Sequence, residues 1–126
     1  MLDHVSIPVT DLEKSASFYD AVLATVGFEP RKRLPGAIGY GPPDQPAPVF
    51  WILSNPQPNL AKPGIGLHIS FQAHNRESVD AFHSVALSLG GTDAGLPGER
   101  PQYTQPFYGA FIFDPDGFKI EAVCRQ

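Results

Sequence analysis

Apolar and polar side chains alternate over His4-Val5-Ser6-Ile7, the period of a strand that hides one face. The spacing then becomes that of a helix, with Phe18, Tyr19, Val22, Leu23 and Val26 on one side. Thr10-Asp11-Leu12-Glu13 has the spacing of a capping box at the helix start, and Gly27 supplies the left-handed residue that stops it. The same order recurs further along. A shift of 64 positions (68 minus 4) lays His4-Val5-Ser6-Ile7 on His68-Ile69-Ser70-Phe71, Asp11 on Asn75, Phe18 on Phe82, Leu23 on Leu87 and Gly27 on Gly91. One offset held across a strand and a helix marks an internal duplication. In the second copy Asn75 is the expected N-cap, Val79, Phe82, Val85, Ala86 and Leu89 form the apolar face, and Gly90-Gly91 ends it.

Strand-like runs follow each helix. "GAFIF" and "FKIEAVC" flank Asp114-Pro115-Asp116-Gly117, a hairpin turn in which proline presets the first bend and glycine takes the positive-φ position. In the first copy the matching runs are "AIGY" and "VFWIL". Prolines crowd the stretch between the copies, so "SNPQPNLAKPGIG" reads as a connector joining a unit over about 1–55 to one over about 65–126. The expected fold is α+β, a single domain over residues 1–126. Two paired βαβββ units are expected to form a curved, mostly antiparallel sheet cup with the helices outside.

Composition narrows the function classes. A chain of 126 residues supports one core, and a net charge of −4 argues against a nucleic-acid partner. The one basic run, Arg31-Lys32-Arg33, reads as a solvated loop after the first helix. The start lacks a signal-like apolar segment, and no run approaches the ~18 apolar residues of a membrane span. The lone Cys124 excludes an internal disulfide, so a cytoplasmic location and no membrane partner are expected.

Strand parity then assembles a candidate centre. His4 and Ser6 share one face, as do His68, Ser70 and Gln72, and Glu121 is a carboxylate set among Ile120, Ala122, Val123 and Cys124. An isolated strand histidine is usually a packed or rim residue. Two of them at the same place in both copies, with a carboxylate that is costly to bury unpaired, instead make the 2-His-1-carboxylate set of a divalent metal site. Cys124 has the opposite parity and is expected to point away. His74 beside a helix cap and His83 within a helix read as surface or hydrogen-bonded residues.

The stretches "LDHVSIPVTDLEKSASFY", "GLHISF" and "FIFDPDGFKIEAVC" resemble the vicinal oxygen chelate superfamily of glyoxalases, bleomycin-binding proteins and extradiol dioxygenases, over the whole chain. The resemblance implies a metal cup with His4, His68 and Glu121 as ligands to a divalent ion (zinc, iron, manganese or nickel). Where glyoxalase I has a further carboxylate ligand this chain has Trp51, so that activity is not expected. The cationic and hydroxylic residues that hold a phosphonate in fosfomycin-resistance enzymes are replaced by Pro101, Gln105 and Gly109, and no further histidine is placed for extradiol chemistry. The expected function is divalent-metal-dependent catalysis, of lyase, transferase or dioxygenase type, on a small-molecule substrate whose neighbouring oxygens chelate the ion. Ser6, Ser70 and Gln72 would hold its polar atoms, and Trp51, Phe107 and Phe111 would form an apolar wall. No catalytic residue is singled out. The alternative is a non-catalytic protein that sequesters an antibiotic or metabolite. A homodimer is expected because the resemblance implies pairing of such short chains and because open sheet edges favour a partner.

Overall fold

The computed structural model describes residues 1–55, 57 and 66–126. Chain order is β1 (Val5–Val9), α1 (Leu12–Ala24), β2 (Glu29–Leu34), β3 (Ala37–Gly41), β4 (Phe50–Ser54), β5 (Ile69–Gln72), α2 (Arg76–Ser88), β6 (Thr92–Glu99), β7 (Tyr108–Phe113) and β8 (Lys119–Cys124). Each unit is βαβββ, and its strands form their own four-stranded sheet, β1-β4-β3-β2 in the first and β5-β8-β7-β6 in the second. The first strand of each unit runs parallel to the last, β1 beside β4 and β5 beside β8, and the remaining pairings are antiparallel. A parallel pair needs a long crossover, which the helix and the intervening strands supply. The connector expected over 54–66 lies largely outside the described residues. No helix among the described residues is long and apolar enough to cross a membrane.

One face of each sheet goes into a shared core. Ile7, Val9, Ile38, Tyr40, Phe50 and Ile52 from the first sheet join Phe71, Ala110, Ile112, Ile120, Ala122 and Cys124 from the second in one buried cluster. Phe18, Tyr19, Val22 and Leu23 of α1 and Val79, Phe82 and Ala86 of α2 complete it, as the helical spacing predicts. Phe50 meets Phe71 edge to face across the two units, with ring centroids 5.2 Å apart, a favoured aromatic geometry. Cys124 is fully buried in this core, on the face opposite Glu121. Leu89, expected on the buried face of α2, is exposed beyond the helix end.

The first helix starts differently from the sequence expectation. Its cap is Asp11, whose side chain accepts the Lys14 N–H at 3.1 Å, and no capping box forms. Thr10 is turned to a distant partner instead, donating its N–H and hydroxyl to Asp116 in the β7–β8 turn. Asn75 caps α2 as expected, and Gly27 and Gly90 take positive φ beyond the two helices. The basic run also departs from expectation: Arg31, Lys32 and Arg33 lie on the edge strand β2 rather than in a loop. There Arg31 pairs with Glu29 and Arg33 with Asp20.

A second link between the units is buried. The Tyr19 hydroxyl donates to Asp114 Oδ2 at 2.7 Å, while Asp114 Oδ1 accepts the N–H groups of Asp116 and Phe118. Burial pushes both the Tyr19 phenol and the Asp114 carboxyl upward. Tyr19→Phe leaves one carboxylate oxygen of Asp114 without its partner, so it is expected to cost about 1–3 kcal/mol of unfolding free energy in urea titrations. A cost shared equally by Tyr103→Phe, at an exposed position, would refute this role.

His83 is buried in α2 and shares a 2.8 Å hydrogen bond with Asp93 at the start of β6. That bond, followed by the Gly95 N–H, holds the Asp93 carboxyl below its usual range. A depressed folded-state value means stability that is present above the unfolded value of about 3.9 and lost as pH falls through the folded one. Asp93→Asn is therefore expected to lower the melting temperature at pH 7, with the gap to the parent protein closing under strong acid. A gap independent of pH would refute the assignment.

Candidate functional site

The face of each sheet turned away from the core is where the candidate residues lie. Alternation along β1 buries Ile7 and Val9 and leaves Ser6 exposed, with His4 one step before the strand on the same side. On β5 the same alternation buries Phe71 and turns out Ser70 and Gln72, with His68 just ahead of the strand.

Register matches the two units residue by residue. Ser6 stands opposite Trp51 as Ser70 stands opposite Glu121. Trp51 lies opposite Gly39 on its other side, and Glu121 opposite Phe111. The tryptophan therefore occupies in the first unit the place the carboxylate occupies in the second, in agreement with the sequence alignment. Its ring needs the missing side chain at Gly39, where a Cβ would stand 2.9 Å from Trp51 Cε2.

The second unit holds a half-built centre. Glu121 is only 2 % exposed. Its Oε1 accepts the Ser70 hydroxyl and lies 3.2 Å from His68 Nε2. Its Oε2 is buried with no hydrogen-bond partner. His68 Nδ1 lies 3.3 Å from the Gly66 carbonyl and Nε2 faces the Glu121 carboxylate, so both ring nitrogens meet oxygens that only accept. A ligating histidine is oriented in this way, with its other nitrogen donating to a backbone carbonyl. A buried carboxylate with one oxygen beside an imidazole Nε2 and the other orphaned is a donor set that suits a divalent cation, which would offset the cost of burying the charge.

His4 is not brought to this pair within one chain. Among the described residues no group of three or more His, Cys, Asp or Glu side chains is placed to hold a metal ion. His4 Nδ1 stands 2.6 Å from Asp3 Oδ2 instead, at an exposed position. The reason is architectural: both sheets give their inner faces to one core, so the faces bearing His4 and His68 point away from it.

The remaining predicted residues divide in the same way. Ser6 and Trp51 lie with His4; Ser70, Phe107 and Phe111 lie with His68 and Glu121. The Phe111 ring meets the His68 ring edge to face at 5.4 Å. Ser70 and Gln72 also line a cavity of about 470 Å³ at the junction of the units, with Val5, Phe28, Phe50 and His74. Gly109 was singled out in the sequence only as a lost phosphonate contact, and the structure gives it a different part. A Cβ there would meet Phe107 Cε1 at 3.0 Å and Glu121 Oε2 at 3.1 Å. The signal was its parity with Phe107 and Phe111, which puts a bare position beside the carboxylate.

Residues 1–122 match the Glyoxalase/Bleomycin resistance protein/Dioxygenase superfamily. A glyoxalase/bleomycin resistance protein from Albidiferax ferrireducens T118 is 38% identical, with 100% of this chain and 99% of that one covered and a TM-score of 0.84. A family enzyme from Burkholderia phytofirmans PsJN (21% identity, 98% of each chain, TM-score 0.72) shares the fold. So does the fosfomycin resistance protein FosX from Listeria monocytogenes (21% identity, 100% and 93% covered, TM-score 0.70). No significant match is found among curated proteins. With its duplicated βαβββ units, the family match and the 38% identical structure, this chain belongs to the Glyoxalase/Bleomycin resistance protein/Dioxygenase superfamily.

Proposed function

We propose that the protein is a divalent-metal-dependent enzyme acting on a small molecule with two neighbouring oxygens, and that it works as a homodimer. The observation that carries this reading is the buried Glu121 carboxylate, whose Oε1 lies 3.2 Å from His68 Nε2 and whose Oε2 has no partner. His68 and Glu121 would hold the ion, with His4 from a second copy as the third ligand. The bound ion would act as a Lewis acid, polarising the substrate oxygens. The chain's own residues set the geometry around it. Ser70 holds one Glu121 oxygen by its hydroxyl, leaving the other for the ion. With an ion on Nε2, the Gly66 carbonyl would accept the Nδ1 proton of His68 and fix the ring. Phe107 and Phe111, both nearly buried, keep water from the floor of the site. The open face of the first sheet, with His4, Ser6 and Trp51, is the natural lid for the open face of the second. Since one chain cannot fold the two together over a shared core, a twofold partner is the simplest way to oppose them.

Metal analysis of protein purified without chelator tests this directly. The parent chain is expected to carry zinc, iron, manganese or nickel, and His4→Ala, His68→Ala and Glu121→Ala each to lose it while circular dichroism stays unchanged. Absence of metal from the parent chain would overturn the reading in favour of a sequestering protein. Mixing His4→Ala chains with His68→Ala chains is expected to restore metal to some sites, because one cup of the mixed dimer keeps both histidines. No rescue in a mixture shown to form mixed dimers would overturn the shared cup and His4 as its third ligand.

Gly109→Ala removes no ligand, yet its methyl group must displace Glu121 Oε2 or Phe107. It is expected to weaken metal binding by about tenfold and to cost about 1–3 kcal/mol of stability through overpacking. Metal affinity equal to that of the parent chain would show that the carboxylate does not need that space.

A further inference from the structure

The open face around His68 and Glu121 is rich in cations, although the chain as a whole carries −4. Lys119 precedes Glu121 by two residues on β8 and shares its face by strand parity. Its Nζ lies 4.7 Å from the centroid of Phe111, the ring that stands opposite Glu121 and against His68. Arg100, just past β6, reaches the same ring, with its guanidinium carbon 5.8 Å from the centroid.

The bed under Arg100 is built for it. A Cβ at Gly95 would stand 3.3 Å from Nη2 and one at Gly98 3.4 Å from Nη1. Nη1 donates to the Gly98 carbonyl at 2.9 Å and Nη2 to the Leu96 carbonyl at 2.8 Å. A guanidinium has five N–H donors, so others remain free. Among the described residues neither Lys119 nor Arg100 pairs with a carboxylate. An aromatic face orients a cation without neutralising it. Two half-buried positive charges are thus held on one ring beside the candidate centre with their charge unspent.

We propose that Lys119 and Arg100 form an anion subsite, and that the substrate is a small organic anion whose carboxylate or phosphate group they take. This deepens the proposed function and rests on reading the face as the substrate site. The positive charge is supplied by the end of β6 and by β8, not by the positions occupied by Pro101, Gln105 and Gly109. A fork of guanidinium donors and an ammonium group suit a group with several oxygens, which each cation can bind by charge-assisted hydrogen bonds.

The test uses the full chain, with its phenylalanines isotope-labelled, in metal-free and zinc-loaded samples at constant ionic strength. Inorganic phosphate and malonate are titrated separately while the Phe111 ring signals are followed by NMR. Saturable shifts are expected, with affinity falling by about tenfold in Lys119→Met and in Arg100→Gln, as loss of a charged hydrogen bond implies, and unchanged in Lys14→Met on α1. A response to phosphate alone points to a phosphate-bearing substrate and a response to malonate to a carboxylate. Methionine keeps the length of the lysine stem over the ring, so that variant decides the matter if Arg100→Gln fails to fold. No saturable shift in the parent chain, or parent-like affinity in Lys119→Met, overturns the subsite. Metal content measured on the same samples separates the two readings. Bound metal with no anion response sinks the subsite alone, whereas an anion response abolished by Lys119→Met in a protein that binds no metal sinks only the metal centre.

Discussion

The Asp114 carboxylate is the interaction on which the rest of the molecule hangs. It sits in the turn between β7 and β8, spends one oxygen on the N–H groups that shape the turn and gives the other to the Tyr19 hydroxyl of the opposite unit. Turn geometry and the docking of the units are therefore a single event. The turn also sets the β7–β8 register, and that register puts Glu121 opposite Phe111. A hydrogen bond at the rim of the core thus determines where a carboxylate emerges on the far face of the sheet. The cost of burying Asp114 is offset by three donors, which leave neither oxygen without a partner.

Duplication followed by divergence explains the asymmetry of the open faces. Both units keep a serine and a histidine at matching places, yet one answers the serine with Glu121 and the other with Trp51. A carboxylate needs neighbours that satisfy or bind it, and the second unit supplies Ser70 and His68. An indole needs space, and the first unit supplies Gly39. The result is one polar half and one apolar half, each incomplete as a pocket.

Local physics made most of the fold legible in the sequence. The constant offset between copies located both helices and their flanking strands, because helix stops and buried faces are written in neighbouring residues. What failed was long-range. Thr10 has the spacing of a capping residue but is claimed by Asp116, more than a hundred positions away, and no local pattern carries that information. Arg31, Lys32 and Arg33 read as loop because an exposed edge strand lacks the apolar alternation of a buried one. At the site, parity sorted His68, Ser70 and Glu121 onto one face correctly. It could not say whether His4 would meet them, since that depends on how two rigid units pack. Lys119 was within reach of the same parity argument, two residues before Glu121. Arg100 was not, because the register shifts in β6 break any count along that strand.

The outer edges of the two sheets share a property with a consequence for the protein in a crowded cell. Each sheet ends in a strand whose free backbone groups offer a template for pairing. β2 presents three consecutive cations there, and β6 carries Pro97 and two irregularities of register. A neighbouring molecule trying to extend the first sheet would have to bury long charged side chains, two of them already held in ion pairs with Glu29 and Asp20. One trying to extend the second finds a missing donor and a crooked rail. Edge-to-edge growth into an endless ribbon is thereby discouraged at both β2 and β6.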